Sequence, residues 1–278
     1  MFSLEDVRYN NYYLINTSLE WTSSWDQFPG IPISLPFERF IISYKHKPHI
    51  MMANYWHYSV YISVVYLMVI FGLKNWMTNR KPYCLRKPLA VWSTLLALFS
   101  VVGTIRCLPE FIYIIAHDGF TASFTQSSYF NDPRLNIWYL IFVLSKAVEL
   151  GDTIFIVLRK QKLHQLHWIH HILTLCFSWF VFPDVPATAR WMVNMNFLIH
   201  SFMYCYYALK ALRFQIPKPF AVTITTGQII QMMFGFWINL YSFQLKITGQ
   251  PCDCSLAVAS TGLLLYSLFL SVLLLFST

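Results

Sequence analysis

Three histidines, His167, His170 and His171, stand at i, i+3 and i+4 in one of the most apolar stretches of the chain. That spacing puts them on one face of a helix. Just upstream, Lys146, Glu149, Asp152 and Thr153 form a second polar island, in which Lys146, Glu149 and Thr153 share a face. Ionisable groups in hydrocarbon are costly, so such islands are candidates for a working site. Two chemistries fit the histidines. Imidazoles at helical spacing can bind a metal ion. A neutral imidazole, with an unperturbed pKa of about 6.5, can instead act as nucleophile or general base. Lys146 and Glu149 also have a plainer reading as a structural ion pair, whose mutual neutralisation lowers the cost of burying either charge.

Further along, Asn196, His200, Tyr204 and Tyr207 follow i, i+4, i+8 and i+11, with Met203 and Tyr206 beside them. They make one stripe, either aromatic packing or the wall facing the histidines. Thr225, Gln228 and Gln231 recur at i, i+3 and i+6. Buried amides of this kind hold helices together in a bundle or line a shared cavity. Arg106 and Glu110, at i, i+4 around Pro109, read as a structural pair.

The elements that must carry these residues are membrane helices. The chain is 56% hydrophobic and only 12% charged, where a soluble domain carries about 25% charged residues. Seven apolar segments, at 56–74, 89–116, 136–158, 165–182, 187–209, 220–244 and 256–276, each approach the length that crosses a bilayer, about 20 residues. The last is rich in leucine, and is expected to enclose the bundle without contributing chemistry. Residues 1–55 are polar and aromatic, with Pro29, Pro32, Pro36 and Pro48, and read as a lumenal or interfacial lead-in. Residues 56–278 form the membrane domain. Lys74, Arg80, Lys81, Arg86 and Lys87, then Arg159, Lys160 and Lys162, then Lys210, Arg213 and Lys218 fall in loops on one side. The positive-inside rule makes that side cytosolic, with the N-terminus lumenal and the C-terminus cytosolic. This also accounts for the net charge of +8 without nucleic acid. The Asn16-Thr17-Ser18 sequon suits a lumenal N-terminus. The first 20 residues hold no apolar run, so no cleavable signal is expected. Six cysteines at irregular spacing give neither a zinc pattern nor a disulfide scaffold.

Taken together, Lys146-x-x-Glu149-x-x-Asp152-Thr153, His167-x-x-His170-His171, His200-x-x-Met203-Tyr204-x-Tyr206-Tyr207 and Thr225-x-x-Gln228-x-x-Gln231 resemble, in order and spacing, the fatty acid elongases of the endoplasmic reticulum. The likeness covers roughly residues 57–245. Glu149 to Leu163 and Leu166 to His171 look most like the branch that extends saturated and monounsaturated chains, typified by the palmitate elongase. The resemblance implies an all-α bundle of seven transmembrane helices enclosing an acyl-chain tunnel. It implies condensation of a long-chain acyl-CoA with malonyl-CoA, giving a 3-oxoacyl-CoA two carbons longer, CO2 and CoA. No cofactor and no metal are expected. Expected partners are membrane lipid, the other enzymes of the elongation cycle and a second copy of the chain.

An imidazole is both a competent nucleophile and a good leaving group, so an acyl-imidazole intermediate suits this reaction. The resemblance assigns His170 as nucleophile, with His200 binding the malonyl group or stabilising its enolate, and His167 and His171 orienting or deprotonating. Lys146, Glu149 and Asp152 support them. Asn196, Tyr204, Tyr207, Gln228 and Gln231 are candidates to hold substrate. Arg159, Lys160 and Lys162, with Lys210 and Arg213, are candidates for the polyanionic CoA head. Chain length is expected to be set by bulky residues of the last two segments near the lumen. Close relatives bridge the second loop to the last lumenal loop by a disulfide. Residues 117–135 here contain no cysteine, so Cys252 and Cys254 are expected to lack that bridge. Two rival readings are a histidine-box di-iron desaturase and a non-enzymatic seven-helix transporter or receptor. The first calls for about eight boxed histidines, more than the four at 167, 170, 171 and 200.

Overall fold

The computed structural model describes Leu35, Glu38 and residues 47–276. Most of the N-terminal lead-in, including the Asn16 sequon, lies outside the described residues. Every regular element among them is helical: α1 Lys47–Tyr55, α2 Tyr58–Trp76, α3 Arg86–His117, α4 Ala122–Thr125, α5 Pro133–Glu149, α6 Gly151–Leu158, α7 Gln165–Val181, α8 Ala189–Ala211, α9 Lys218–Ile247 and α10 Leu256–Phe276. Short 3-10 turns occupy Ser128–Asn131 and Phe182–Asp184. By length and composition, α2, α3 and α9 are able to cross a membrane. Their outward faces are apolar and exposed, as at Val64, Met68, Leu95, Ile105 and Ile230.

The segment expected at 136–158 is divided. It breaks at Leu150 into α5 and α6, with Gly151 at the joint. The reason is a close approach: a Cβ at 151 would collide with the Trp92 indole of α3. Only glycine lets that ring in, and the ring holds Asp152 from the other side of the break.

The main core lies where α5, α7 and α8 meet, around Leu135, Trp138, Phe142, Leu175, Trp179 and Phe197. Two buried ion pairs pin this core to its neighbours. Arg106 does not pair with Glu110 along α3. Arg106 Nη2 meets Glu38 Oε2 at 2.6 Å, and Glu110 Oε1 meets Arg190 Nη2 of α8 at 3.0 Å. Sequence spacing favoured the local pair, but long-range partners satisfy more donors. Arg190 also donates to the carbonyls of Ser123 and Gln126 and to Ser128 Oγ. α10 faces outward at Leu264 and Leu268, packs on α9, where the Tyr266 ring lies over Gly235, and closes the bundle with Tyr266 and Phe269 turned inward.

The loops after α3, α7 and α9 clasp each other on one side. Asp253 N donates to Thr125 O at 2.8 Å, Ala187 N to Asp253 O at 2.7 Å, and Ser127 N to Asp253 Oδ2 at 2.8 Å. Ser255 N donates to Asp184 Oδ2 at 2.8 Å. Burial raises the Asp184 carboxyl from 3.8 to about 6, outweighing that hydrogen bond. An acid whose folded pKa is raised stabilises the fold fully below its unfolded value, and loses that contribution as pH climbs through the folded one. The thermal midpoint in detergent is therefore expected to fall between pH 3.8 and about 6. Asp184→Asn, which keeps the acceptor, should flatten that slope; an unchanged slope would contradict the assignment.

Candidate active site

Two chambers meet in the bundle. The outer one, of about 480 Å³, is lined by Asp152, Arg159, His167, His171, Tyr204, Tyr207, Lys210 and Gln228, among others. The inner one is narrower, about 100 Å³, and largely apolar, with Phe142, Val143, Phe177, Met192, Leu265 and Phe269 in its wall. Three side chains line both: Glu149, His170 and His200. The inner chamber continues to Asn136, Tyr129, Phe182, Pro186 and His49. Asn136 lies 13 residues before Glu149 on α5, so the chamber follows that helix for about 20 Å.

The junction is a polar network set in this apolar wall. Lys146 Nζ donates to Glu149 Oε1 and to Asn196 Oδ1, each at 2.8 Å. Lysine has only donors, so it fixes the Asn196 amide with its oxygen toward Lys146. Asn196 Nδ2 then donates to His200 Nε2 at 3.1 Å. That leaves the His200 proton on Nδ1, 3.8 Å from Glu149 Oε1. His200 is held in one tautomer by groups from α5 and α8 together. Ser145 Oγ adds a bond to Glu149 Oε1 at 3.2 Å.

The His170 ring nitrogens, like those of His171, make no hydrogen bond among the described residues, but His170 alone of the two lines both chambers. The ring lies 4.9 Å from Phe269, centroid to centroid, and 5.9 Å from His171. An unengaged imidazole at the meeting point of two cavities is free to meet a reactant. His171 packs edge-on to His167 at 4.6 Å. His167 Nε2 meets Thr153 Oγ1 at 3.0 Å, which meets the Tyr66 hydroxyl of α2 at 2.6 Å. Tyr66 thus orients His167 through Thr153. Tyr66→Phe is expected to lower turnover about tenfold, the worth of one hydrogen bond of about 1.4 kcal/mol, with little change in acyl-CoA binding. Rates at saturating substrate would test this; a change in KM alone would count against it.

Asp152 belongs to another branch. Its carboxylate accepts from Trp92 Nε1 at 2.6 Å and from the Tyr204 hydroxyl at 2.7 Å, not from Lys146. It braces the outer chamber through α3 and α8. The two glutamines straddle the junction: Gln228, whose Nε2 donates to Met203 Sδ at 3.3 Å, faces the outer chamber, and Gln231 the inner. Tyr207 stands half exposed at the outer rim. Arg159 and Lys210 line the outer chamber, whereas Lys160 and Lys162 lie outside both linings. Lys160, at φ 51°, turns away to donate to Thr78 O at 2.9 Å. Among the described residues no group of three or more His, Cys, Asp or Glu is placed to hold a metal ion.

Sequence reasoning missed Trp92, Tyr66, Tyr266, Phe269 and His49. Gly151 beside Asp152 was the available signal for a close partner at that point. The others sit in segments with no polar pattern of their own.

Long apolar helices around a polar and an apolar chamber, with imidazoles between them, are the build of an integral membrane protein. The model of the ELO: GNS1/SUR4 family matches residues 51–278. A Drosophila melanogaster relative named very long chain fatty acid elongase 6 is 43% identical over 213 residues, 76% of this chain and 67% of its own length. The protein of that name from Mus musculus is 45% identical over 192 residues, 69% of this chain and 72% of its own. Long chain fatty acid elongase 1 of Caenorhabditis elegans is 32% identical over 251 residues, 87% of each. The chain belongs to the GNS1/SUR4 family of fatty acid elongases.

Proposed function

We infer that this chain catalyses the condensing step of fatty acid elongation, joining a long-chain acyl-CoA to malonyl-CoA. The observation that carries the reading is the shared lining: His170, His200 and Glu149 alone among the named site residues face both chambers. The wide, polar chamber suits a CoA head, with Arg159 and Lys210 at its wall. The narrow chamber suits an acyl tail, and its length along α5 matches a long chain. The thioester then lies at the junction.

The chemistry runs in two halves. His170 attacks the thioester carbonyl through its unprotonated nitrogen. CoA leaves as thiolate and takes a proton from water as it departs, and an acyl-imidazole still protonated at its other nitrogen forms. Malonyl-CoA then replaces CoA in the outer chamber and loses CO2. The resulting enolate attacks the acyl-imidazole carbonyl, which releases His170 and gives the 3-oxoacyl-CoA. The fixed His200 tautomer leaves Nδ1–H at the junction, 3.8 Å from Glu149 Oε1 and so not hydrogen-bonded to it, and this N–H is the donor assigned to the malonyl oxygen as the enolate develops. Lys146 and Asn196 position His200, and the Lys146–Glu149 pair keeps the buried network near neutral.

A preference for saturated or monounsaturated chains near palmitate rests on the resemblance carried by Glu149 to Leu163 and Leu166 to His171. Seven crossings, a lumenal N-terminus, a cytosolic outer chamber and residence in the endoplasmic reticulum complete the reading. The other cycle enzymes and a second copy of the chain are its expected partners. Membranes carrying the protein, given labelled malonyl-CoA and acyl-CoAs of graded length, should produce 3-oxoacyl-CoA with an optimum at one length. Absence of label in any acyl product would defeat the assignment. Glycosylation at Asn16, removable by a glycosidase, tests the topology.

A further inference from the structure

Cys252 and Cys254 flank Asp253 between α9 and α10. Both thiols are free and buried, with their Sγ atoms 3.6 Å apart. The backbone brings them together: Cys254 N donates to Cys252 O at 2.9 Å, closing a three-residue turn. Such a turn draws its outer Cα atoms into the range that a disulfide spans, about 4.4–6.8 Å. It is also held from outside. Lys246 Nζ donates to Cys252 O at 3.2 Å, and Asp253 is tied to Thr125, Ser127 and Ala187. The sulfurs already lie in contact at 3.6 Å, against about 2.05 Å in an S–S bond.

We propose that Cys252 and Cys254 form a redox modification site that closes into a disulfide within this one loop. The oxidant is another disulfide, small-molecule or protein. The Cys252 thiolate attacks one oxidant sulfur, breaking the oxidant S–S bond and releasing one thiolate. Cys254 then loses its proton and attacks the Cys252 sulfur of the mixed disulfide, releasing the second oxidant thiol. Two hydrogens pass from the protein to the reduced oxidant. The two thiols share a hydrogen bond in which either sulfur can donate. Cys252, the more exposed of the two at 5% against 1%, is the attacking sulfur and Cys254 the resolving one. The inference goes beyond the condensing reaction. Its setting rests on the proposed topology, which places this loop in the oxidising lumen.

The bond would rigidify the floor of the inner chamber. Asp253 O receives Ala187 N, next to Pro186, and Pro186 O receives the Tyr129 hydroxyl at 3.0 Å. Pro186 and Tyr129 both line that chamber.

Purified full-length protein is treated with oxidised glutathione, quenched in acid, unfolded, alkylated and digested without reductant. The peptide holding both cysteines should be unalkylated and two hydrogens lighter than its reduced form. Cys252→Ser should leave Cys254 open to alkylation, and hydrogen exchange at Ser127 and Ala187 should slow on oxidation of the unsubstituted chain. Alkylation of both cysteines, a persistent glutathione adduct, or a bridge to Cys84, Cys107, Cys176 or Cys205 would overturn the site. The same map is made from membranes alkylated at lysis. A bridge formed in detergent yet absent from membranes would leave the site standing and overturn the lumenal placement of the loop.

Discussion

His170→Ala is expected to abolish chain elongation and the covalent acyl-enzyme together. Removal of a covalent nucleophile costs at least about 10³-fold in turnover. What sets the residue apart is its place: like His171 its ring holds no hydrogen bond among the described residues, whereas His167 and His200 are each engaged by a side chain, but of the two unengaged rings only His170 lines both chambers. Intact mass after palmitoyl-CoA alone should show one acyl group on the unsubstituted protein and none on His170→Ala. His200→Ala separates the two half-reactions. It should still take up the acyl group and fail to pass it to malonyl-CoA. Cys176, the nearest cysteine along α7, is the obvious competitor. It contacts Ser63 Oγ at 3.5 Å and lines neither chamber. An adduct persisting in His170→Ala, or mapped to Cys176, would remove His170 from the role.

Arg190→Ala is expected to be the most destabilising single change outside the site. Arg190 is fully buried and serves Glu110, Ser123, Gln126 and Ser128, tying α3, the loop after it and α8 together. Removing one partner of a buried pair costs about 3–5 kcal/mol, because the other charge is left uncompensated. In a chain of this size that corresponds to a fall of roughly 10 °C in thermal midpoint. Fluorescence-detected unfolding in detergent reads it directly. Replacing both partners, as Glu110→Gln with Arg190→Met, should recover much of the loss, since the uncompensated charge is gone. An Arg190→Ala midpoint close to that of the unsubstituted protein would show the pair to be incidental.

The helices and the polar islands were legible because both depend on local spacing. Apolar runs near bilayer length and the i, i+3, i+4 histidines require no knowledge of neighbours. The Lys146–Glu149 contact was readable for the same reason, at i, i+3. What failed were pairings between helices. Arg106 and Glu110 looked like partners along one helix, but each finds a better-placed charge far away in sequence. Asp152 looked like a member of the Lys146 network, but the break at Leu150 turns it toward Trp92 and Tyr204. The last two segments, where chain length was expected to be set, do contribute Met232, Leu265, Tyr266 and Phe269 to the inner chamber, but its lining also includes Asn136 of α5 and His49 of α1, the latter donating to Asn136 Oδ1 at 3.2 Å and stacking on Phe182 at 4.4 Å. Nothing periodic in residues 47–55 signals that role.

The meeting of both chambers at the same three side chains has a kinetic consequence. On the proposed function the two CoA thioesters share the outer chamber and occupy it in turn, while the acyl tail stays in the narrow one. The reaction should therefore follow ping-pong kinetics, with parallel double-reciprocal lines. Each CoA thioester should inhibit at excess by occupying the form of the enzyme meant for the other. Intersecting lines would mean that both heads are accommodated at once. The molecule would then behave less as a turnstile than as a vestibule.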